Sequence, residues 1–256
     1  MKISTVIPVY NTNPKFFREC VNSVLNQTHP VDEIIIVDDG SDRAETLDEL
    51  YHTELHLHPL IRIVSQKNKR ISGALNTGIR YMTGDWFAGC SSDDRWFPHK
   101  IEEQVKFIRS NPKAKVMYSD WEYIDSEGFQ LSTYTEPGFK DRFEAGRYII
   151  KDYFGNWSGA MIHKSVFDDI GLYNENLIIH EDYEFNIRIL TKYMMHRIPK
   201  VLFQYRTNPE AITFNKTHGR GTDTAKRCIE IGRAIAIEHF GNEEDRKKYP
   251  LWKFDE

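Results

Sequence analysis

Cysteine is scarce. Cys20, Cys90 and Cys228 are the only three among 256 residues, an odd and widely spaced set that builds neither a disulfide framework nor a zinc site. Buried free thiols are the expected state. Long apolar runs are also missing: none reaches the ~20 residues a bilayer requires, and the stretch Met1-Lys2-Ile3-Ser4-Thr5-Val6-Ile7-Pro8 is too short for a signal peptide. No transmembrane segment is expected, and a cytoplasmic location is, with peripheral attachment at a membrane left open. Charge of one sign is not in excess, 34 basic against 38 acidic residues, so nothing favours a nucleic-acid partner. No internal repeat or linker-like low-complexity block divides the chain, and nothing in it specifies an oligomeric state.

What is present is an alternation of strand-like and helix-like segments, in a chain whose 40% apolar content suffices for a substantial core. Strands are expected at residues 3–8, 32–38, 60–65 and 85–90, with helices between them: one after Asn13-Pro14, one over 42–52 opened by Ser41, and one over 72–82 opened near Ser72. A further helix runs from Pro98 to about Arg109, and a strand begins over Lys115 to Tyr118. This is the pattern of a mostly parallel, Rossmann-like sheet flanked by helices, an α/β fold. The second half changes character. It has a hairpin candidate at Ser126-Glu127-Gly128, a helix from Glu181 carrying Phe185, Ile189 and Tyr193, then an Asn-, Thr- and Gly-rich stretch over 209–224 and a helix over 225–240.

Three stretches are rich in groups that handle charged, oxygen-rich ligands: Val37-Asp38-Asp39-Gly40-Ser41, Cys90-Ser91-Ser92-Asp93-Asp94 and His180-Glu181-Asp182. The first two close apolar strands, where open α/β sheets bind ligands. The third opens a helix, whose free amides and macrodipole favour ionised carboxylates unless these are buried.

In this order the motifs resemble the inverting family 2 glycosyltransferases, whose GT-A fold binds nucleotide sugars. The resemblance covers about residues 3–207. It rests on Val6-Ile7-Pro8-Val9-Tyr10-Asn11, Ser23-Val24-Leu25-Asn26-Gln27-Thr28, Val37-Asp38-Asp39-Gly40-Ser41-Asp42, Asn68 with Ser72-Gly73-Ala74-Leu75-Asn76-Thr77-Gly78, Ser92-Asp93-Asp94-Arg95-Trp96, and Glu181-Asp182. It implies a GT-A catalytic domain over 1–207, with a nucleotide-binding half to about 119 and a mixed α+β acceptor-binding half over 120–207. Residues 208–256 would form a mobile loop and a C-terminal helical extension. The implied partners are a nucleotide-sugar donor, UDP-linked, and a glycan or glycolipid acceptor, as in polysaccharide assembly. The implied cofactor is a divalent cation, Mn²⁺ or Mg²⁺.

By the same resemblance, Pro8, Val9, Tyr10, Asp39, Ser92 and Arg70 line the nucleotide site, Asp93 binds the metal, Asp182 is the general base, and Glu181 and Trp157 face the acceptor. Simpler roles stand beside these: Asp38 as a turn former, Ser41 as a helix cap, Trp157 as a core residue. Two departures bear on the chemistry. Ser91 stands where the family has the first aspartate of its metal motif, and Lys69 and Arg70 replace frequent glycines. A metal-independent transferase, with these cations balancing the leaving group, is therefore one alternative. A degenerate domain that binds nucleotide or glycan without turnover is another. The histidine often found just past the last core strand is absent, with Asn208 near its place, and Lys216, His218 or Arg220 could reach the diphosphate instead. His52, His56 and His58 lie away from these motifs and are not expected to hold a metal.

Overall fold

The computed structural model describes residues 1–208 and 216–249. Their backbone is organised by one nine-stranded sheet: β1 (Ile3–Val9), β2 (Glu33–Asp38), β3 (Ile61–Ser65), β4 (Trp86–Gly89), β5 (Arg95–Trp96), β6 (Val116–Ile124), β7 (Gln130–Tyr134), β8 (Met161–His163) and β9 (Met195–Arg206). The order is β3-β2-β1-β4-β8-β6-β9-β5, with β7 added to β6. The first four strands are parallel, β8 enters antiparallel between β4 and β6, and β6 and β9 again run parallel.

Alternation along the inner strands sends side chains to two cores, one on each face of the sheet. Ile34 and Ile36 join Ile3, Ile7, Phe17, Val21 and Ile101 on one face. Ile35 and Val37 join Val6, Leu75, Phe167, Phe185 and Ile189 on the other. The first core is covered by α1 (Pro14–Leu25), α2 (Ala44–Tyr51) and α4 (Lys100–Ser110). The second is covered by α3 (Arg70–Tyr81), α5 (Arg142–Ile149), α6 (Lys164–Ile170), α7 (Glu181–Lys192) and α8 (Asp223–Phe240), with the short α9 (Glu243–Lys248) following. Ala236, Ile237 and Phe240 of α8 lie within the second core, so this helix spends its apolar face on the domain itself.

Asn13 caps α1 by accepting from Lys15 N at 2.9 Å, with Pro14 in the first helical position, as the sequence predicts. Two predicted caps are corrected. Ser41 does not cap α2; its Oγ accepts from Asn11 N, while Asn11 Oδ1 accepts from the amides of Asp42 and Arg43. A residue just past the end of β1 thus holds the turn that leads from β2 into α2. Likewise α3 begins at Arg70, ahead of Ser72, which is buried. The strands β5, β7 and β8 are too short or too irregular in pattern to stand out in the sequence.

Candidate active site

The first two acidic stretches follow the C-terminal ends of β2 and β4, the two strands that flank β1. Asp38 serves the fold: Oδ1 accepts from Ser41 N and Oδ2 from Tyr51 Oη, each at 2.9 Å. Asp39 is buried next to the turn at Gly40, and its Oδ1 accepts from Gln66 Nε2 at 2.6 Å and Lys69 N at 2.8 Å. Burial, helped by the charge of Asp38, raises its pKa against the pull of these hydrogen bonds. Gly40 has φ of 76°, and a Cβ there would come within 2.9 Å of Asn68 N, so the turn requires glycine. Pro8 and Val9 are buried in the sheet and Tyr10 is 52% exposed. The β1 end therefore presents main chain and the Tyr10 ring.

The loop after β4 is held from three sides. Ser92 Oγ meets Thr12 Oγ1 at 2.6 Å, Ser91 N donates to Ser158 Oγ at 3.1 Å, and Cys20 Sγ approaches Ser91 O at 3.2 Å. Asp93 is half-buried, with Oδ1 accepting from Ser91 Oγ at 2.8 Å, and burial raises its pKa. Asp94 is fully buried; burial and the Asp93 charge push its pKa well up, and Oδ1 accepts from Arg206 N at 3.0 Å. Arg206 was not a candidate from the sequence. Its side chain, 1% exposed, donates to the carbonyls of Asp93, Asp125 and Ser126 and to Glu19 Oε2.

Trp157 is 8% exposed and belongs to the core. Its ring covers Gly89, where a Cβ would meet Trp157 Cε3 at 2.4 Å. The same segment reaches the third acidic stretch, because Gly155 N donates to Glu136 Oε1 at 2.8 Å and Asn186 Nδ2 of α7 donates to the carbonyls of Phe154 and Gly155. At the start of α7, Asp182 is half-buried and accepts from Tyr153 Oη at 2.6 Å on Oδ2 and from Tyr183 N at 2.8 Å on Oδ1. Glu181 is buried, and burial with the neighbouring Asp182 charge pushes its pKa up to about 8. The burial exception stated for these carboxylates applies to Glu181. The helix terminus does not offset the desolvation of Glu181.

Three non-glycine residues among those described have left-handed φ: Asn11 at 51°, Arg70 at 62° and His180 at 64°. Each stands where the chain enters a helix next to one of these stretches, and such strain persists where surroundings over-determine the backbone, often at functional sites. Lys69 and Arg70 are exposed at the start of α3. His180 has its pKa lowered by burial, with Arg220 adding to that effect. Arg220 of the C-terminal segment therefore stands electrostatically near the Glu181–Asp182 end. Residues 209–215 of the expected loop lie outside the described residues.

A divalent cation meets a limited donor set. Among the described residues no three His, Cys, Asp or Glu side chains form a group able to hold an ion. The half-buried Asp93 carboxylate fits an ion that takes its remaining ligands from phosphate oxygens and water, as Mg²⁺ and Mn²⁺ commonly do. No helix among the described residues is long and apolar enough to cross a membrane.

An uncharacterized glycosyltransferase of Rickettsia felis is 31% identical over 213 residues, covering 81% of this chain and 34% of that protein. One from Rickettsia typhi is 29% identical over 239 residues, covering 91% of this chain and 70% of its own. The chain thus spans about a third of the length of the first relative. The chondroitin synthase of Escherichia coli is 37% identical over 132 residues, 51% of this chain and 18% of the synthase. In fold, S. aureus TarS 1–349 in complex with UDP-GlcNAc superposes with a TM-score of 0.70 at 20% identity, covering 96% of this chain and 69% of that one. Residues 4–171, which carry the β2 and β4 loops, match the family described as Glycosyl transferase family 2. The chain belongs to that family and has the GT-A fold.

Proposed function

We propose that the protein transfers a hexose or N-acetylhexosamine from a UDP-linked sugar to a hydroxyl of a glycan or glycolipid, with inversion. The observation that carries this reading is the placement of Asp182: a half-buried carboxylate on a rigid helix start, with one donor on each oxygen and lone pairs remaining. In the reaction the acceptor oxygen attacks the anomeric carbon, its proton passes to Asp182, and the bond to the diphosphate oxygen breaks with its electron pair leaving on UDP. Burial and the Asp182 charge push the Glu181 carboxyl up to about 8, which favours its neutral form and leaves the base role to Asp182. It is assigned to the acceptor together with the Trp157 segment.

Asp39 is assigned to the nucleoside, alongside Pro8, Val9, Tyr10, Ser92 and Arg70. That S. aureus TarS was solved with UDP and with UDP-GlcNAc supports a UDP-linked donor. A Mn²⁺ or Mg²⁺ ion, held by Asp93 and the diphosphate, would neutralise leaving-group charge. Ser91 in place of an aspartate favours a second reading, in which Lys69 and Arg70 supply that charge without metal.

The test is release of UDP from a panel of nucleotide sugars, with Mn²⁺ and with EDTA, using wild type beside Asp182→Asn. Turnover that needs both metal and Asp182 supports the first reading, and turnover that survives EDTA supports the second. UDP binding without turnover under any acceptor would leave a binding domain. Equal turnover by Asp182→Asn would remove Asp182 from the base role.

A further inference from the structure

Tyr153 lies in the connection between α5 and β8, far from Asp182 in sequence, yet its Oη donates to Asp182 Oδ2 at 2.6 Å. A phenol donating to an ionised carboxylate makes a bond roughly twice as strong as a neutral pair. The contact is built rather than incidental. Phe154 and Gly155 follow Tyr153, and both of their carbonyls accept from Asn186 Nδ2 at 2.9 Å. Asn186 is 5% exposed and sits one turn after Asp182 on the same helix. Phe154 is buried against Tyr118, Phe139 and Tyr148. Gly155 N is fixed by Glu136 Oε1. The segment carrying the phenol is thereby tied to the helix carrying the carboxylate.

We propose that Tyr153 is the positioning residue of Asp182, aiming its carboxylate at the hydroxyl proton of the sugar acceptor. This rests on the reading of Asp182 as general base. Burial, reinforced by Asp182, holds the Tyr153 phenol protonated well above its ordinary range, so it stays a donor through the working pH. The other titratable groups facing Asp182 are its neighbours Glu181 and His180 and the buried Tyr173. Glu136 acts on Tyr153, and Arg220 on His180. Of these, Tyr153 is the one hydrogen-bonded to the carboxylate.

Two variants move the coupling in opposite directions. Tyr153→Phe removes the donor, and 3-fluorotyrosine at 153 makes the phenol a stronger one. The readout is the ¹³C carboxyl signal of labelled aspartate that Asp182→Asn deletes, recorded in the full chain at one fixed pH. Its chemical shift is expected to move in opposite directions in Tyr153→Phe and in the fluorotyrosine protein. With UDP-GlcNAc and water as acceptor, kcat in Tyr153→Phe drops about tenfold at unchanged donor KM. A signal unmoved in the fluorotyrosine protein overturns the proposal, whether or not Tyr153→Phe folds. Wild-type UDP release by Asp182→Asn sinks the base assignment instead, and leaves the measured coupling between Tyr153 and Asp182 as a separate result.

Discussion

Arg206 Nε donates to the main-chain carbonyl of Asp93 at 2.9 Å, joining the last residue of β9 to the loop after β4. The guanidinium is also shared by the carbonyls of Asp125 and Ser126 and by Glu19, and it lies 4.3 Å from the centre of the Phe16 ring. One cation thus fixes the loop that presents Asp93, the turn of the β6–β7 hairpin, and α1.

Replacing Arg206 by Met removes a donor from three carbonyls and from Glu19, of which Glu19 keeps Arg95 and the Asp125 carbonyl keeps Gly128 N, in a site where the arginine side chain is fully buried. Removing one member of a buried charged pair costs about 3–5 kcal/mol. Because Glu19 keeps 27% of its side chain in solvent, the lower end, about 3 kcal/mol, is expected in urea unfolding. A loss below about 1 kcal/mol would mean that water takes over these carbonyls and that Asp93 is held by other contacts.

Asp93→Ala should separate metal from nucleotide. With the carboxylate gone, the gain in UDP affinity that Mn²⁺ confers should fall about tenfold or more, equivalent to ~1.4 kcal/mol. Affinity in EDTA should stay near wild type, since Asp39 and the β1 end are untouched. Calorimetric titration of UDP with and without Mn²⁺ measures both. An unchanged metal-dependent gain would take Asp93 out of the metal role and favour Lys69 and Arg70.

Gly89→Ala tests the packing behind the same loop. The new methyl would meet Trp157 Cε3 at 2.4 Å and Cζ3 at 2.8 Å, so the indole must move. Overpacking of this kind costs about 1–3 kcal/mol. Since Trp157 precedes Ser158, whose Oγ accepts from Ser91 N, weaker UDP binding should accompany the loss of stability. Adding Trp157→Phe should restore part of both. No rescue in the double variant would disconnect the indole from the loop.

The local grammar of the chain carries much of the fold. Apolar, largely β-branched runs mark strands such as β1 and β2, Asn13-Pro14 marks the start of α1, and the acidic stretches at strand ends are readable because strand ends follow from hydrophobic pattern. Contacts between distant segments are not readable. Asn11 holding the turn before α2 depends on the pairing of β1 with β2, while Arg206 reaching Asp93 and Tyr153 reaching Asp182 depend on which strands become neighbours farther along the sheet. That is settled by the insertion of β8 between β4 and β6, and three residues leave no period to detect. The charge state of Glu181 escapes the sequence for a related reason. A helix start favours an anion, but burial outweighs it, and burial is a property of the whole fold.

Glu136 connects these themes to stability. It is 1% exposed, and burial pushes its pKa up to about 8 against the hydrogen bonds from Gly155 N and Asn156 N. In the unfolded chain a glutamate loses its proton near 4.3. Between that value and about 8 the native state therefore holds a proton that the unfolded state has released, so stability is greatest at the acid end of the window and declines as pH rises. Each pH unit inside the window removes about 1.4 kcal/mol per such group at most. The amide introduced by Glu136→Gln cannot ionise, and its carbonyl oxygen can keep both backbone donors. The urea midpoint of that variant is therefore expected to fall less than that of wild type between pH 5 and pH 8, a difference on the order of a few kcal/mol. Glu181, also raised to about 8, and Asp94, raised well above its ordinary value, keep a residual slope in that variant. Adding Glu181→Gln should flatten it further. Parallel profiles for wild type and Glu136→Gln would mean that Glu136 is ionised in the native protein. The Gly155–Asn156 turn next to Tyr153 would then be held by a carboxylate anion rather than a neutral acid.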